Sequence, residues 1–155
     1  MISTIKEIEE LYTKTRSHVA KVRNIKLNGD ADIDDLSRVS NRAVHLCFLE
    51  LYLERHRYVN GLAGGISLSG RTAMHHSLLL KYKWPLSEIR ALSLHDSLLA
   101  LQEDIFNLDS EQGPTDVVDY LYRITAGNFL LEFPNIIDDE WNPELAGELI
   151  LFTQD

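Results

Sequence analysis

The sequence predicts an all-α protein: an irregular bundle of five or six helices. A short strand near the C-terminus remains an alternative for one stretch of the chain. Apolar residues recur three or four positions apart through most of the chain, which is the spacing of a helix face. Residues typical of helix starts and stops separate these apolar runs. A chain of 155 residues has the length of one domain and buries enough surface to need no metal or disulfide. We therefore expect residues 1–155 to form a single helical domain.

The first two helices are predicted from their ends. Thr4, followed by Glu7 three residues later, is typical of a capping box that begins a helix. The Asn-Gly pair at 28–29 is a turn signal that closes this first region. The acidic run at 30–35 favours the start of a long second helix, because negative charge is stabilised at a helix N-terminus. The Asn-Gly pair at 60–61 predicts the end of that helix.

The third and fourth helices meet at a proline. A third helix is predicted from about Arg71 to Lys83, because the residue before Pro85 avoids the helical conformation. Pro85 suits the first turn of a fourth helix. Apolar residues then continue along one face as far as Phe106, so we expect one helix over this range.

The C-terminal part holds shorter predicted elements. Thr115 is a suitable cap for a fifth helix, which Gly127 would stop. Asn142 and Pro143 are start signals for a short last helix. The stretch between these two helices, 129–141, is expected to be irregular or to contain the short strand.

The net charge of −9 is distributed unevenly along the chain. Residues 1–90 contain 14 Lys and Arg against 10 Asp and Glu, whereas residues 91–155 contain only Arg123 against 14 Asp and Glu. Such asymmetry between two parts of a chain favours a charged partner. We therefore expect the acidic C-terminal part to bind a basic protein.

Eight residues of this part are the predicted partner-binding residues. A basic protein would be steered to such a surface, and aromatic side chains supply anchors at an interface. The eight residues are Asp109, Glu111, Asp116, Asp119, Asp138, Asp139, Glu140 and Trp141. Phe133 and Tyr120 are further candidate anchors. The competing interpretation is a solvated surface that only keeps the protein soluble.

Two motifs match ion sites in spacing but not in context. Residues 65–72 match a phosphate-binding loop with an arginine in place of the lysine, but a helix precedes them where a strand is required. We interpret them as an interhelical loop capped by Ser69. Asp30, Asp32 and Asp34 have the spacing of a calcium loop, but the required glycine and glutamate are absent. The sequence therefore predicts no metal and no cofactor.

The sequence also contains no recognisable catalytic motif, so we expect a protein that is not an enzyme. No two histidines lie four positions apart and no Glu-x-x-His step occurs, which are the usual ways for one helix to present two metal ligands. An enzyme stays as a third hypothesis in which His45, His75 and His95 meet in space. Cys47 fits a buried small hydrophobe better than a reactive thiol.

A second hypothesis is a small helical regulator of transcription or of another protein. Residues 71–101 fit a helix-turn-helix, with basic contacts at Arg71, Lys81, Lys83 and Arg90. The second of these helices also carries acidic residues and runs into the acidic part, which disfavours nucleic acid as the partner.

The expected location is the cytoplasm. The single cysteine, Cys47, excludes an internal disulfide and fits a reducing compartment. The first residues lack the basic start and apolar run of a signal peptide. No apolar stretch approaches the roughly 20 residues that cross a bilayer, so no membrane partner is expected.

In size, helix content and acidity the chain resembles the small acidic immunity proteins that accompany bacterial contact-dependent growth-inhibition toxins. The resemblance covers general character, with no shared motif and no residue to transfer. It implies a bacterial cytoplasmic antitoxin bound one-to-one to a toxin nuclease domain. A nuclease is a natural basic partner because its active surface must attract phosphate, and an acidic protein can cover that surface.

Overall fold

The fold consists of helices packed around one long central helix. The computed structural model describes residues 2, 4–108, 115–124 and 131–151. Within those ranges the seven α-helices are α1 (Ile5–Val22), α2 (Ile33–Asn60), α3 (Arg71–Tyr82), α4 (Leu86–Ala91), α5 (Leu94–Phe106), α6 (Thr115–Ile124) and α7 (Glu144–Leu151), and a short 3₁₀ helix covers Asp138–Glu140. The all-α class is thus confirmed. The described ranges contain no strand, so the strand considered for 129–141 is not seen in the described part of that stretch.

The start of α1 has the predicted capping box, and the start of α2 lies in the predicted acidic run, where Asp32 is the cap. The Thr4 hydroxyl accepts a hydrogen bond from the Glu7 backbone N–H at 3.2 Å, and the Glu7 carboxylate accepts one from the Thr4 N–H at 3.0 Å. The Asp32 carboxylate accepts bonds from the N–H groups of Asp34 and Asp35 at 2.7 and 3.4 Å. Both caps satisfy donors that a first helical turn leaves without partners. The acidic run is therefore a helix entrance, as expected.

Two other helix ends differ from the prediction. α1 stops at Val22, because Asn24 adopts a left-handed φ of 56° and turns the chain before the signal at 28–29. α3 begins after Gly70, whose φ of 52° suits glycine, and no side chain caps it. The predicted capping by Ser69 is therefore wrong, and Ser69 instead accepts at its backbone carbonyl.

The predicted fourth helix is two helices in the structure. Leu92 is extended, with φ −65° and ψ 138°, and it ends α4. The Ser93 hydroxyl then accepts a bond from the Asp96 N–H at 3.0 Å and begins α5. A serine that bonds to nearby backbone competes with continuation of a helix, and apolar spacing alone does not reveal that competition. This break is one reason that the helix count exceeds the expected five or six.

α2 is the centre of the packing. Its 28 residues give it a length of about 42 Å, and it contacts α1, α3, α5 and α6. Except for His45, every side chain from Arg42 to Leu51 is buried, as is typical of a helix in the core of a protein. Neither α2 nor any other helix of the described ranges combines the length and apolar character needed to cross a membrane.

Candidate functional site

The structure places one predicted binding residue, Glu140, in the interior. Its side chain is fully buried, and its carboxylate accepts hydrogen bonds from the guanidinium groups of Arg42, at 2.5 Å, and Arg23. Arg42 is itself only 1% exposed. A buried carboxylate persists when cations and hydrogen bonds compensate its charge. Glu140 is therefore a structural ion-pair residue, and its prediction as a surface contact is wrong.

The same two arginines attach the whole segment 131–141 to α1 and α2. Arg23 donates to the Asn135 side-chain oxygen at 3.0 Å, and Arg42 donates to the Asn135 carbonyl at 3.2 Å. The Arg23 guanidinium also lies 4.2 Å from the ring centroid of Phe133, in a cation–π contact. Phe133 is thus partly buried against this network, which leaves little of its ring for a partner.

Trp141 is also buried, at 3% exposure. Its indole N–H donates to the Glu50 carboxylate of α2 at 2.6 Å, and the Arg71 guanidinium lies 5.1 Å from the centre of its ring. A tryptophan that satisfies its N–H inside the protein and packs its ring there is an internal residue. The prediction of Trp141 as an interface anchor is wrong for that reason.

Asp138 and Asp139 are exposed, as predicted for surface residues. The Asp138 carboxylate accepts a bond from the Leu94 backbone N–H at 2.7 Å, at the first residue of α5. Asp139 contributes its backbone oxygen to a 2.7 Å hydrogen bond with the His18 ring. Asp138 therefore stabilises a helix start. Asp109 and Glu111 lie outside the described residues.

The remaining predicted residues lie on α6. Asp116 and Asp119 are exposed, whereas Val117 and Leu121 on the opposite side of the helix are fully buried. No ion pair involves either aspartate within the part of the chain that the structure describes. Tyr120 beside them is half-buried. Burial and the charge of nearby Glu9 raise the pKa of the Tyr120 hydroxyl.

Exposed aromatic rings adjoin these two aspartates. Tyr122 is 48% exposed and Phe106 of α5 is 38% exposed. The Tyr122 hydroxyl donates to the Phe106 carbonyl at 3.1 Å, and both rings pack on the buried Phe48, with centroids 5.0 and 5.4 Å away. Apolar spacing in the sequence places Phe106 on a helix face, whereas Tyr122 is not among the predicted binding residues.

The surface so formed is named the α5–α6 face. On α5, Leu99 and Phe106 share one stripe with the exposed Glu103, because these residues are spaced by four and three positions. On α6, an open depression is lined by Asp116, Asp119, Tyr122 and Arg123. The face comprises Leu99, Glu103, Phe106, Asp116, Asp119, Tyr122 and one cation, Arg123. It has apolar side chains next to three carboxylates.

A separate cleft lies at the C-terminal end of α2. It has a volume of about 920 Å³, is open to solvent and is bordered by α2, the loop at 61–70 and the start of α7. Glu50 and Arg57 are the charged residues that α2 contributes to it. Burial raises the pKa of Glu50 to about 7, although the Trp141 N–H and the Arg57 charge act in the opposite direction. Residues 66–70 of the phosphate-loop motif thus form part of a cleft wall, and the helix α2 precedes them, as predicted.

The histidines of the enzymatic hypothesis do not form one site. No hydrogen bond or ring contact joins His45, His75 and His95 among the described residues. Burial and the charge of Arg42 lower the pKa of His45 to about 4, and its ring packs on Phe106. Within the described ranges no group of three or more His, Cys, Asp or Glu is placed to hold a metal ion.

The basic residues of the regulator hypothesis are partly engaged within the protein. Lys81 forms an ion pair with Asp104 at 2.8 Å. Arg71 donates to the Asp138 carbonyl at 3.4 Å besides its contact with Trp141. Lys83 and Arg90 are exposed. Two of these four side chains therefore already have internal contacts.

In comparisons with protein-family models, curated proteins and solved structures, nothing matches this chain.

Proposed function

We propose that the protein is a non-enzymatic binding protein and that its α5–α6 face holds a basic protein partner. The observation that carries this proposal is the side-by-side exposure of Asp116 and Asp119 with Tyr122 and Phe106. Protein interfaces combine an apolar centre that excludes water with a polar rim that sets orientation. The α5–α6 face has both parts.

Charge supports a basic partner for this face. Asp116, Asp119 and Glu103 are exposed carboxylates, and Arg123 is the nearby cation on α6. Uncompensated surface charge steers an oppositely charged protein and raises its association rate, while adding less to the final affinity. The proposed role of these carboxylates is therefore to guide the partner into place.

The aromatic side chains support a role in holding the partner once it has docked. Tyr122 and Phe106 are fixed from below by the Phe48 ring, so little rotamer freedom remains to be lost on binding. Binding energy in interfaces concentrates in such aromatic anchors. We expect Tyr122 to affect dissociation more than association.

The partner class that we propose is a toxin nuclease domain, which makes the protein an immunity protein. This assignment rests on the acidic character of the face and on the resemblance in size and helix content described above. A nuclease must present cationic groups to phosphate, and the carboxylates of the α5–α6 face would oppose those groups.

The test uses the polypeptide encoded next to this chain, purified and assayed for cleavage of labelled DNA and RNA. We expect the chain to abolish that cleavage at a one-to-one ratio. The double variant D116N/D119N should associate several-fold more slowly at low ionic strength and approach the parent rate in high salt. Tyr122→Ala should mainly accelerate dissociation, by about tenfold or more.

The matched control is D30N/D34N, which removes the same two charges at the entrance of α2. It should leave association close to the parent rate. If it slows association as much as the α6 variant does, the effect is one of total charge and the face is not the binding site. If the neighbouring polypeptide has no nuclease activity, or if this chain leaves that activity intact, the immunity role is wrong.

A further inference from the structure

The cleft at the end of α2 has the size and lining of a small-molecule site. Its volume of about 920 Å³ falls in the range of ligand pockets, which are mostly apolar with a few polar groups. The apolar lining consists of Leu62, Ile66, Leu68, Pro143 and Ala146. Leu62 and Ile66 are 79% and 88% exposed, so these large side chains border the cleft without being covered by the protein.

Glu50 is a buried polar group that lines this cleft. Its side chain is only 6% exposed, and one carboxylate oxygen accepts the Trp141 indole N–H. The other oxygen lies 3.9 Å from the Arg57 guanidinium, which is longer than a hydrogen bond. That second oxygen forms an ion pair with Arg57 without a hydrogen bond, so it retains the capacity to accept a hydrogen bond from another donor.

The charged lining favours a cationic donor. Glu50 and Glu144 contribute two carboxylates and Arg57 contributes one guanidinium. A carboxylate in a partly desolvated site interacts more strongly with a charged donor than with a neutral one. An ammonium group next to Glu50 would also favour its ionised form, which burial alone disfavours.

We propose that this cleft binds a small amphipathic amine, with its ammonium group on the Glu50 oxygen that does not accept from Trp141 and its apolar body against Leu62, Ile66 and Leu68. The site is separate from the α5–α6 face. The proposal therefore does not depend on the immunity role, and either can fail without the other.

A larger residue in place of Gly147 can fill part of the cleft without disturbing the fold. Gly147 lies in α7 and lines the cleft, and a Cβ atom added there meets no atom within 4 Å. Glycine in a helix interior is less stable than alanine, so a side chain at this position should be tolerated. A leucine in place of Gly147 would occupy space inside the cleft.

The experiment compares three six-carbon probes that differ only in head group: n-hexylamine, n-hexanol and sodium hexanoate. The background is Trp84→Phe, because Trp141 is then the sole tryptophan, and its indole N–H resonance reports on Glu50. We expect hexylamine to bind about tenfold or more tightly than hexanol, and to shift this resonance most. Hexanoate should bind least.

Two variants separate the head-group contact from the apolar contact. Glu50→Gln keeps an oxygen acceptor for Trp141 but removes the charge, so hexylamine and hexanol should then bind equally. Gly147→Leu should weaken both by at least about tenfold while the thermal midpoint stays the same or rises. Gly29→Leu is the matched control, because a Cβ there also meets nothing within 4 Å and the position is outside the cleft.

The proposal is overturned if hexanoate binds most tightly or if the three probes bind equally. It is also overturned if none of them binds, or if Gly147→Leu changes hexylamine binding no more than Gly29→Leu does. A loss of hexylamine preference in Glu50→Gln, together with blocked binding in Gly147→Leu, supports it.

Discussion

Glu140 and Asp119 belong to the same acidic part of the sequence, yet they occupy opposite environments. Glu140 is fully buried between the guanidinium groups of Arg42 and Arg23. Asp119 is exposed on α6 and has no ion-pair partner within the described ranges. Charge counted along the sequence therefore combines carboxylates that serve folding with carboxylates that remain available to a partner.

The difference originates in the elements that carry the two groups. α6 buries one apolar side and turns the other outward, so its charged residues stay in solvent. Segment 131–141 contains no α-helix with an apolar side. Its regular structure is the short 3₁₀ helix at Asp138–Glu140. It is attached through polar contacts with Arg23, just after α1, and Arg42 of α2, and through Phe133, Ile136 and Trp141, which pack in or against the core.

The largest expected effect comes from breaking the buried pair. Glu140→Gln should lower the free energy of unfolding by about 3–5 kcal/mol, because the buried Arg42 would keep only the more exposed Glu132 carboxylate, at 3.4 Å, to compensate its charge. Urea unfolding followed by circular dichroism measures this change. The control is Glu132→Gln, which removes a more exposed carboxylate from the same arginine and should cost less than about 1 kcal/mol. Equal losses in the two variants would contradict the assigned role of burial.

Glu50 adds a buried carboxyl group with weaker compensation than Glu140. Its pKa of about 7 lies above the ordinary value, so the folded protein binds a proton that the unfolded chain releases between about pH 4.5 and 7. The stability contributed by protonated Glu50 is therefore full below about pH 4.5 and is lost as the pH rises through 7.

The measurement is the difference in unfolding free energy between the parent and Glu50→Gln across this pH range. That difference should fall by roughly 3 kcal/mol as the pH rises. The groups that face Glu50 are the Trp141 N–H, Arg57 and Glu54, and all three are unchanged in the variant. A difference that is flat with pH, or that rises, would contradict the raised pKa.

A smaller effect is expected at Asp138, which is exposed but still serves folding. Asp138→Ala removes the acceptor of the Leu94 N–H at the start of α5, and should cost about 1 kcal/mol. Thermal unfolding of this variant beside Asp139→Ala provides the comparison, since the Asp139 contact uses only its backbone oxygen. Asp139→Ala should change stability by less than about 0.5 kcal/mol.

The smallest effect on stability is expected on α6. D116N/D119N should change the free energy of unfolding by no more than about 0.5 kcal/mol, because these carboxylates are solvated and have no ion pair in the described ranges. The same variant should change partner association, as described above. A large loss of stability would show that these aspartates serve folding, as Glu140 does, and would contradict the contrast drawn between the two environments.

The parts of the fold that were predicted correctly depend on local signals. The cap at Thr4, the acidic entrance of α2 at 30–35 and the end of α2 at Asn60 each follow from a few neighbouring residues. The outward position of Asp116 and Asp119 follows from the apolar spacing of one helix. Such features need no knowledge of distant partners.

The parts that were predicted incorrectly depend on contacts far apart in sequence. Glu140 and Arg42 are 98 positions apart, and Trp141 and Glu50 are 91 positions apart. A count of charges cannot show that a carboxylate will meet a buried guanidinium. Similarly, apolar spacing identifies the buried side of α5 but does not show that Phe106 lies at its margin, partly in solvent.

Segment 131–141 is attached to α2 at two separate points. Two consecutive residues, Glu140 and Trp141, bond to α2 at Arg42 and Glu50, which are about 12 Å apart along the helix axis. A single point of attachment would allow the segment to pivot, whereas two spaced points define both its position and its direction. A chain shortened to end before residue 131 would lose both attachments and would expose to solvent the side of α2 that carries Arg42 and Glu50.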